Sequence, residues 1–189
     1  MRNTHILRLT KFLFIFLLLL GTSPAHTSEY SSNFETVPAV QKMPPRVGSW
    51  KYTPTVLVCE HTPVDETAVK SAVQWWKQLG FKFYKVLYKR DPLNKCSSKN
   101  PEGYIIIHLV TQEIHKAMEN DTLAETHFYI DNDTKKIEWA KIYLRAEPQT
   151  RVLEHEIGHA LGFLHYNNSG HIMHKKWIYG GWDDEGLKR

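Results

Sequence analysis

The sequence is poor in cysteine and lacks any apolar run long enough to cross a membrane. Its 189 residues include only two cysteines, Cys59 and Cys96, which excludes a cysteine-rich zinc module and a scaffold held by many disulfides. The apolar run over residues 12–20 is far shorter than the ~20 residues of a membrane-spanning helix. The chain is long enough for one domain with its own hydrophobic core.

Acidic residues are absent from residues 1–25, where Arg2, Arg8 and Lys11 precede the apolar run and small residues follow it to Ala25. This order predicts a secretory signal peptide over residues 1–25, cleaved after Ala25, rather than a membrane anchor. Without its three basic residues the total of 24 Lys and Arg falls to 21, against 20 Asp and Glu. The charge therefore gives no argument for a nucleic-acid partner. We expect a secreted or periplasmic protein that does not bind a membrane after cleavage.

Both cysteines lie in the part that would be exported, where an oxidising compartment favours a disulfide over two free thiols. Cys59 ends the first predicted strand, over residues 55–59, and Cys96 lies in the loop that leaves the second. Parallel strands of a strand-helix-strand unit finish at the same edge of a sheet. We therefore expect a structural Cys59–Cys96 bridge with no role in catalysis.

Strand and helix signals follow one another along most of the chain. Residues 26–50 are rich in Ser, Thr and Pro, and we interpret them as a linker, a short pro-segment or an N-terminal arm. Thr62 and Pro63 predict the start of a helix that Gly80 ends. Further strands are predicted over residues 81–88, 104–110, 126–130 and 137–144. The acidic turn at residues 131–136 favours turn chemistry; it could coordinate Ca²⁺ but lacks a full ligand spacing.

The motif that carries the chemistry lies in residues 155–165, with the sequence HEIGHALGFLH. His155 and His159 are four positions apart, so their rings leave one face of a helix only about 40° apart. Apolar residues gather on the opposite side of the same helical wheel: Leu153, Ile157, Ala160, Leu161 and Leu164. The helix can therefore bury its apolar side and present both imidazoles to a cleft as metal ligands.

Gly162 and His165 extend this metal-binding pattern. A glycine can adopt the left-handed conformation that ends a helix and reverses the chain, which brings His165 round as a third ligand. Three protein ligands leave one tetrahedral position open, which indicates a catalytic rather than a structural zinc site. Glu156 lies beside the two helical ligands, where its carboxylate can accept a proton from a water molecule at the open position.

Residues 155–165 are followed by the segment 169–173, which ends in Met173. Together they resemble the signature of metzincin zinc endopeptidases, nearest to the matrixin-like branch. The resemblance implies an α+β domain over residues 51–189, with a twisted mixed five-stranded sheet, two main helices and zinc in a cleft. It also implies that Met173 packs beneath the ligands as a structural Met-turn without binding the metal. Because so few residues follow Met173, we expect a reduced C-terminal subdomain whose helix spans little more than residues 183–188.

The resemblance also implies how a polypeptide substrate binds. It would lie extended along an antiparallel edge strand, here residues 126–130, with Thr126, Phe128 and Ile130 as candidate binding residues. Main-chain pairing would hold the peptide with little sequence preference, and side-chain pockets would supply the preference. Trp177 and Tyr179, just past Met173, are the candidate walls of the main specificity pocket.

These observations predict a monomeric, secreted zinc endopeptidase in which Glu156 is the general base and His155, His159 and His165 bind one Zn²⁺. One alternative is a secreted zinc-containing binding protein or toxin component with little turnover. Glu156 argues against it, because a binding module has no evident need for a base beside the metal. A second alternative is a zinc hydrolase of cell-wall peptide amides, which the lack of an appended wall-binding or repeat module disfavours.

Overall fold

A mostly parallel sheet of six strands forms the centre of the computed structural model, which describes residues 43–118 and 121–189. The predicted signal peptide and residues 26–42 lie outside the described residues. The strands are β1 Ser49–Trp50, β2 Thr55–Val58, β3 Val86–Tyr88, β4 Tyr104–Leu109, β5 Ala124–Asp131 and β6 Lys136–Leu144. The helices are α1 Glu66–Gln78, α2 Gln112–Ala117 and α3 Val152–Ala160, followed by a short 3-10 helix, Trp177–Tyr179.

The mixed sheet is consistent with the predicted α+β class, but the predicted count of five strands is wrong. The parallel strands follow the order β1-β6-β4-β2-β3, and β5 runs antiparallel to β6 along its other side. The sixth strand is β1, where Ser49 and Trp50 pair with Lys136 and Ile137. Two residues are too short for a strand pattern to be recognised in a sequence. Within the described part of the chain, β5 is an edge strand of the sheet.

The helices α1 and α3 share a hydrophobic core with the strands, and β4 lies near the middle of the sheet. Ile105 and Ile107 of β4 join the core cluster that includes α1 and α3, whereas Ile106 belongs to a smaller cluster. This alternation follows from the period of two residues along a strand. The full burial of all three isoleucines matches the predicted central strand, since such a strand is covered on both sides.

The smaller cluster contains the predicted disulfide, which is confirmed. Cys59 and Cys96 are bonded, with their Cα atoms 5.9 Å apart. The carboxylate of Asp91 accepts hydrogen bonds from the backbone N–H groups of Lys95 and Cys96, at 2.7 and 2.6 Å. The bridge therefore ties the loop after β3 to the end of β2, which the parallel order of these strands allows.

Helix α1 begins three residues later than predicted. Asp65 is its N-cap, and its carboxylate accepts a hydrogen bond from the N–H of Ala68 at 2.9 Å. Thr62 is buried instead, and its hydroxyl lies 2.8 Å from the carbonyl of Cys59 and 3.1 Å from that of Ile107. The expected helix end is correct, because Gly80 follows the helix with φ of +93°.

The described part of the N-terminal segment, residues 43–50, lies along the end of α3. Val47 N–H donates to the carbonyl of Gly162 at 2.9 Å, and Leu164 N–H donates to that of Pro45 at 2.8 Å. The Trp50 indole N–H donates to the carbonyl of Ala160 at 2.9 Å. This segment therefore holds the stretch of chain that leads from α3 to His165.

The predicted helix over residues 183–188 is wrong. Asp183 forms an isolated bridge with His171, and Leu187 is fully buried in the main core. The chain end thus packs as an extended segment with a turn, because Leu187 fills the core and Gly186 adopts φ of +77°. In residues 43–118 and 121–189, no helix has both the length and the apolar character needed to cross a membrane.

Candidate metal centre

Helix α3 presents its two histidines because its other side is needed by the core. Three hydrophobic residues on that side are buried in the core: Leu153, Ile157 and Ala160. His155 and His159 lie on the opposite side, and their rings meet at 4.6 Å between centroids. The predicted helical spacing therefore places both imidazoles in one site.

Gly162 turns the chain back toward α3. Its φ is +96°, and Phe163 N–H donates to the carbonyl of Gly158 at 3.0 Å, which closes the end of the helix. A Cβ atom at Gly162 would lie 2.8 Å from the carbonyl oxygen of Gly48. Position 162 therefore requires glycine, both for its left-handed conformation and for the close approach of the N-terminal segment. The turn at Gly162 brings His165 to the other two histidines.

We expect Gly162→Ala to destabilise the protein by about 1–3 kcal/mol more than Gly103→Ala. Gly103 has a similar φ of +82°, but a Cβ atom added there would meet no atom within 4 Å, so Gly103→Ala has the conformational strain without the contact. Because the turn also sets the place of His165, only Gly162→Ala should weaken metal binding. Denaturant unfolding and metal titration of both variants check this; equal losses in both would show that the contact with Gly48 has no effect.

The three histidines converge through their Nε2 atoms. The Nε2 of His159 lies 3.0 Å from that of His155 and 3.2 Å from that of His165. A tetrahedral ion bound at about 2.0–2.1 Å holds its ligand nitrogens about 3.3 Å apart. The observed separations are close to that value, and His155, His159 and His165 could therefore hold a metal ion.

Hydrogen bonds set the tautomers of the two helical histidines. The Nδ1 of His155 lies 2.7 Å from the carbonyl of Ile172, and that of His159 lies 2.8 Å from the carbonyl of Phe163. A carbonyl oxygen can only accept, so Nδ1 carries the proton in each ring and Nε2 is left with a lone pair. Two such lone pairs at 3.0 Å repel each other, and a shared cation removes this repulsion.

Burial keeps these imidazoles neutral. It lowers the pKa of His155 to about 4, although the hydrogen bond to Ile172 acts in the opposite direction. Burial also lowers the pKa of His165 to about 4, with further contributions from Lys175 and His174, and it lowers the pKa of His159. A metal ion binds the neutral imidazole, so these three rings could bind a metal ion at neutral pH.

Glu156 is a buried residue of α3 and directly follows His155 in the chain. It is 6% exposed, and its Oε2 accepts a hydrogen bond from the hydroxyl of Thr126 at 2.6 Å. Burial raises the pKa of Glu156 to about 7, the bond from Thr126 lowers it, and the nearby charge of Glu125 raises it. The result is a carboxylate that is more basic than usual on the helix that carries His155 and His159.

Met173 packs directly against α3 at Gly158. It is fully buried, and a Cβ atom at Gly158 would clash with its sulfur and lie 2.8 Å from Trp76. His171 supports this segment: its Nδ1 accepts from Met173 N–H at 3.0 Å, and its Nε2 lies 3.1 Å from the carbonyl of Glu185. His171 was not predicted, because neither its spacing nor its neighbours distinguish it from an exposed histidine.

The candidate substrate residues lie in two places. Phe128 and Ile130 are buried in the core, so their side chains are closed to a substrate and only the main chain of β5 remains at the edge. The indole N–H of Trp177 donates to the carbonyl of Thr150 at 2.8 Å. Tyr179 is 52% exposed, with its ring 5.7 Å from that of His174. Trp177 therefore borders the start of α3, whereas Tyr179 lies beside His174.

In the hairpin turn between β5 and β6, the carboxylate of Asp131 bonds to residues of the turn itself. The Oδ1 atom of Asp131 accepts hydrogen bonds from the backbone N–H groups of Asp133 and Thr134, at 3.1 and 2.8 Å, and from the Thr134 hydroxyl at 2.9 Å. These bonds account for the aspartate by turn chemistry. They give no support to a Ca²⁺ site at this turn.

A scan against protein-family models and a search of curated protein sequences each returned no match. The function of the chain must therefore be argued from the residues of this site and their geometry.

Proposed function

We propose that this protein is a secreted zinc-dependent endopeptidase of the metzincin type. The observation that carries the proposal is the convergence of three histidine Nε2 atoms, together with the buried carboxylate of Glu156, which follows His155 on the same helix. A metal-binding module needs only the histidines, whereas a hydrolase also needs a base at the same site. The packing of Met173 against Gly158 of α3 supports the proposal, because the metzincin resemblance implies a methionine packed against the helix that carries the ligands.

The donor set favours Zn²⁺ as the ion. Three neutral imidazoles form a typical catalytic zinc site, in which a fourth position is open to water or substrate. When bound, zinc would supply a Lewis acid that makes water a nucleophile near neutral pH and stabilises negative charge on the substrate carbonyl. His155, His159 and His165 would hold it, and the carbonyls of Ile172 and Phe163 would orient two of these rings.

Glu156 would move the proton. Its carboxylate would accept a proton from the attacking water molecule and then donate it to the amine that leaves the broken peptide bond. Burial raises the pKa of Glu156 to about 7, which lets one group act as base and then as acid near neutral pH. The carboxylate has two oxygens, so one can accept and donate the proton while Oε2 remains bonded to the hydroxyl of Thr126.

The edge strand β5 would bind the substrate. Its antiparallel pairing with β6 occupies one side of the strand, and Phe128 and Ile130 fix its inner face in the core. An extended peptide can add to such an edge through main-chain hydrogen bonds, which requires no particular side chains. We therefore propose a polypeptide substrate that is unfolded or has an exposed, extended segment.

The proposed endopeptidase activity is tested by incubating the purified, zinc-loaded protein with an unfolded protein. The products are identified by mass spectrometry. We expect new amino termini inside the substrate sequence, and we expect a chelator to abolish them. Cell-wall peptides serve as a parallel substrate. Cleavage of these peptides alone would indicate an amide hydrolase of another class, and stable binding without any cleavage would indicate a binding protein; either result contradicts the proposal.

A further inference from the structure

We propose that Thr126 is a positioning residue for Glu156, so that the edge strand itself orients the general base. The inference rests on the proposed function and extends it from α3 to β5. The hydroxyl of Thr126 lies 2.6 Å from the Glu156 Oε2 and 3.2 Å from the main-chain carbonyl of the same residue. These two residues are 30 positions apart in the chain and meet only because α3 packs on β5.

A hydroxyl has a single proton, and the shorter contact determines where it points. At 2.6 Å the hydroxyl donates to the carboxylate, which makes a charge-assisted hydrogen bond when Glu156 is ionised. Burial of a carboxylate without a partner is unfavourable, so the bond also favours one orientation of the Glu156 side chain over its alternatives. Thr126 therefore selects the orientation in which the base is held.

The position of Thr126 in the strand makes this support rigid. Its Cα is paired with that of Ile142 in β6, and Ile142 is fully buried. Threonine is branched at Cβ, which restricts the rotation that would carry its hydroxyl away from Glu156. The inward-facing neighbours on β5, Ala124 and Phe128, are buried in the same core, so the strand has little freedom to move the hydroxyl.

The proposed role of Thr126 differs from substrate binding. The hydroxyl of Thr126 is directed to Glu156, whereas a peptide at the edge of β5 would pair with the main chain. Loss of the hydroxyl should therefore lower the rate of the chemical step and leave substrate binding largely unchanged. It should also leave the two helical histidines in place, because their Nδ1 atoms are bonded to the carbonyls of Ile172 and Phe163 and not to Thr126.

The test compares Thr126→Val, which replaces the hydroxyl by a methyl group of similar size, with Thr126→Ser, which keeps a hydroxyl. We expect Thr126→Val to lower kcat by about 10- to 100-fold, the usual effect of losing a group that orients a functional side chain. Its KM and zinc content should stay close to those of the wild type. Thr126→Ser should recover most of kcat.

A second readout does not depend on activity. Infrared spectra of the zinc-free proteins report the carboxylate band of Glu156, which is assigned from its disappearance in Glu156→Gln. We expect a shift of this band in Thr126→Val and little shift in Thr126→Ser, because only the valine variant lacks the hydrogen bond. Thr126→Ala serves as a second variant without a hydroxyl and should behave as Thr126→Val does.

The inference would be overturned by an unchanged infrared band in Thr126→Val, by a kcat of this variant within about threefold of the wild type, or by a rise in its KM alone. Loss of folding or of zinc in both the valine and alanine variants would show a structural role and would overturn it as well. An inactive wild-type protein would contradict the proposed function instead. The infrared comparison would still decide whether Thr126 orients Glu156.

Discussion

Replacing Glu156 with glutamine is expected to lower kcat for peptide hydrolysis by at least about 10²-fold while the protein still binds one metal ion. Glutamine has nearly the same shape as glutamate, and its carbonyl oxygen can still accept the hydrogen bond from Thr126. Its amide cannot take a proton from water at neutral pH. The substitution therefore removes the proposed chemistry of Glu156 and leaves the histidines in place.

Glu154→Gln is the matched control for this experiment. Glu154 belongs to the same helix, and burial also raises the pKa of its carboxyl group, but it lies two positions away from Glu156 in the chain. We expect its kcat to remain within a few fold of the wild type. Equal loss of activity in the two variants, or loss of the metal in Glu156→Gln, would contradict the role of Glu156 as general base.

The second large effect is expected for His159→Ala, which should lower the affinity for zinc by more than about 10²-fold and abolish hydrolysis. The Nε2 of His159 lies within 3.2 Å of those of both other histidines, so its loss opens the centre of the ligand set. Removal of a group that only supports a ligand already costs about 10- to 100-fold in metal affinity, and a ligand itself should cost more.

His115→Ala is the control for a histidine outside the site, because His115 is an exposed residue of α2. Zinc that binds only the folded state raises the melting temperature, so thermal unfolding with and without zinc measures the effect. We expect this rise in the wild type and in His115→Ala, and little of it in His159→Ala. An undiminished rise in His159→Ala would mean that zinc binds elsewhere.

The sequence was sufficient for features that depend on short, regular spacing. The interval of four residues between His155 and His159 places both rings on one side of α3, and Gly162 adopts the left-handed conformation expected of a helix end. The order of strands and helices likewise predicted that Cys59 and Cys96 would meet. In each case a local rule acts within one helix, one turn or one strand-helix-strand unit.

Features that depend on contacts between distant parts of the chain could not be predicted in this way. The hydroxyl of Thr62 has a buried partner on β4, which leaves the N-cap of α1 to Asp65. Pairing with β6 turns Ser49 and Trp50 into a strand, although they have no strand pattern of their own. The bond between Thr126 and Glu156 likewise requires the packed arrangement of β5 and α3.

The burial of the candidate substrate residues also depends on contacts between distant parts of the chain. The family resemblance offered Thr126, Phe128 and Ile130 as substrate-binding residues, but it could not show that the core would bury the side chains of Phe128 and Ile130. The edge of a strand can be recognised only when its neighbours are known, because both sides of a strand carry the same hydrogen-bonding groups. The proposal therefore assigns substrate binding to the main chain of β5.

The central claim is tested most directly by titrating the metal-free protein with zinc. Bound zinc and the hydrolysis of an unfolded protein are measured in the same samples. A catalytic centre formed by His155, His159 and His165 predicts that both signals rise together and saturate at one zinc ion per chain. Saturation of binding at one ion without hydrolysis, or full hydrolysis before zinc is added, would contradict it.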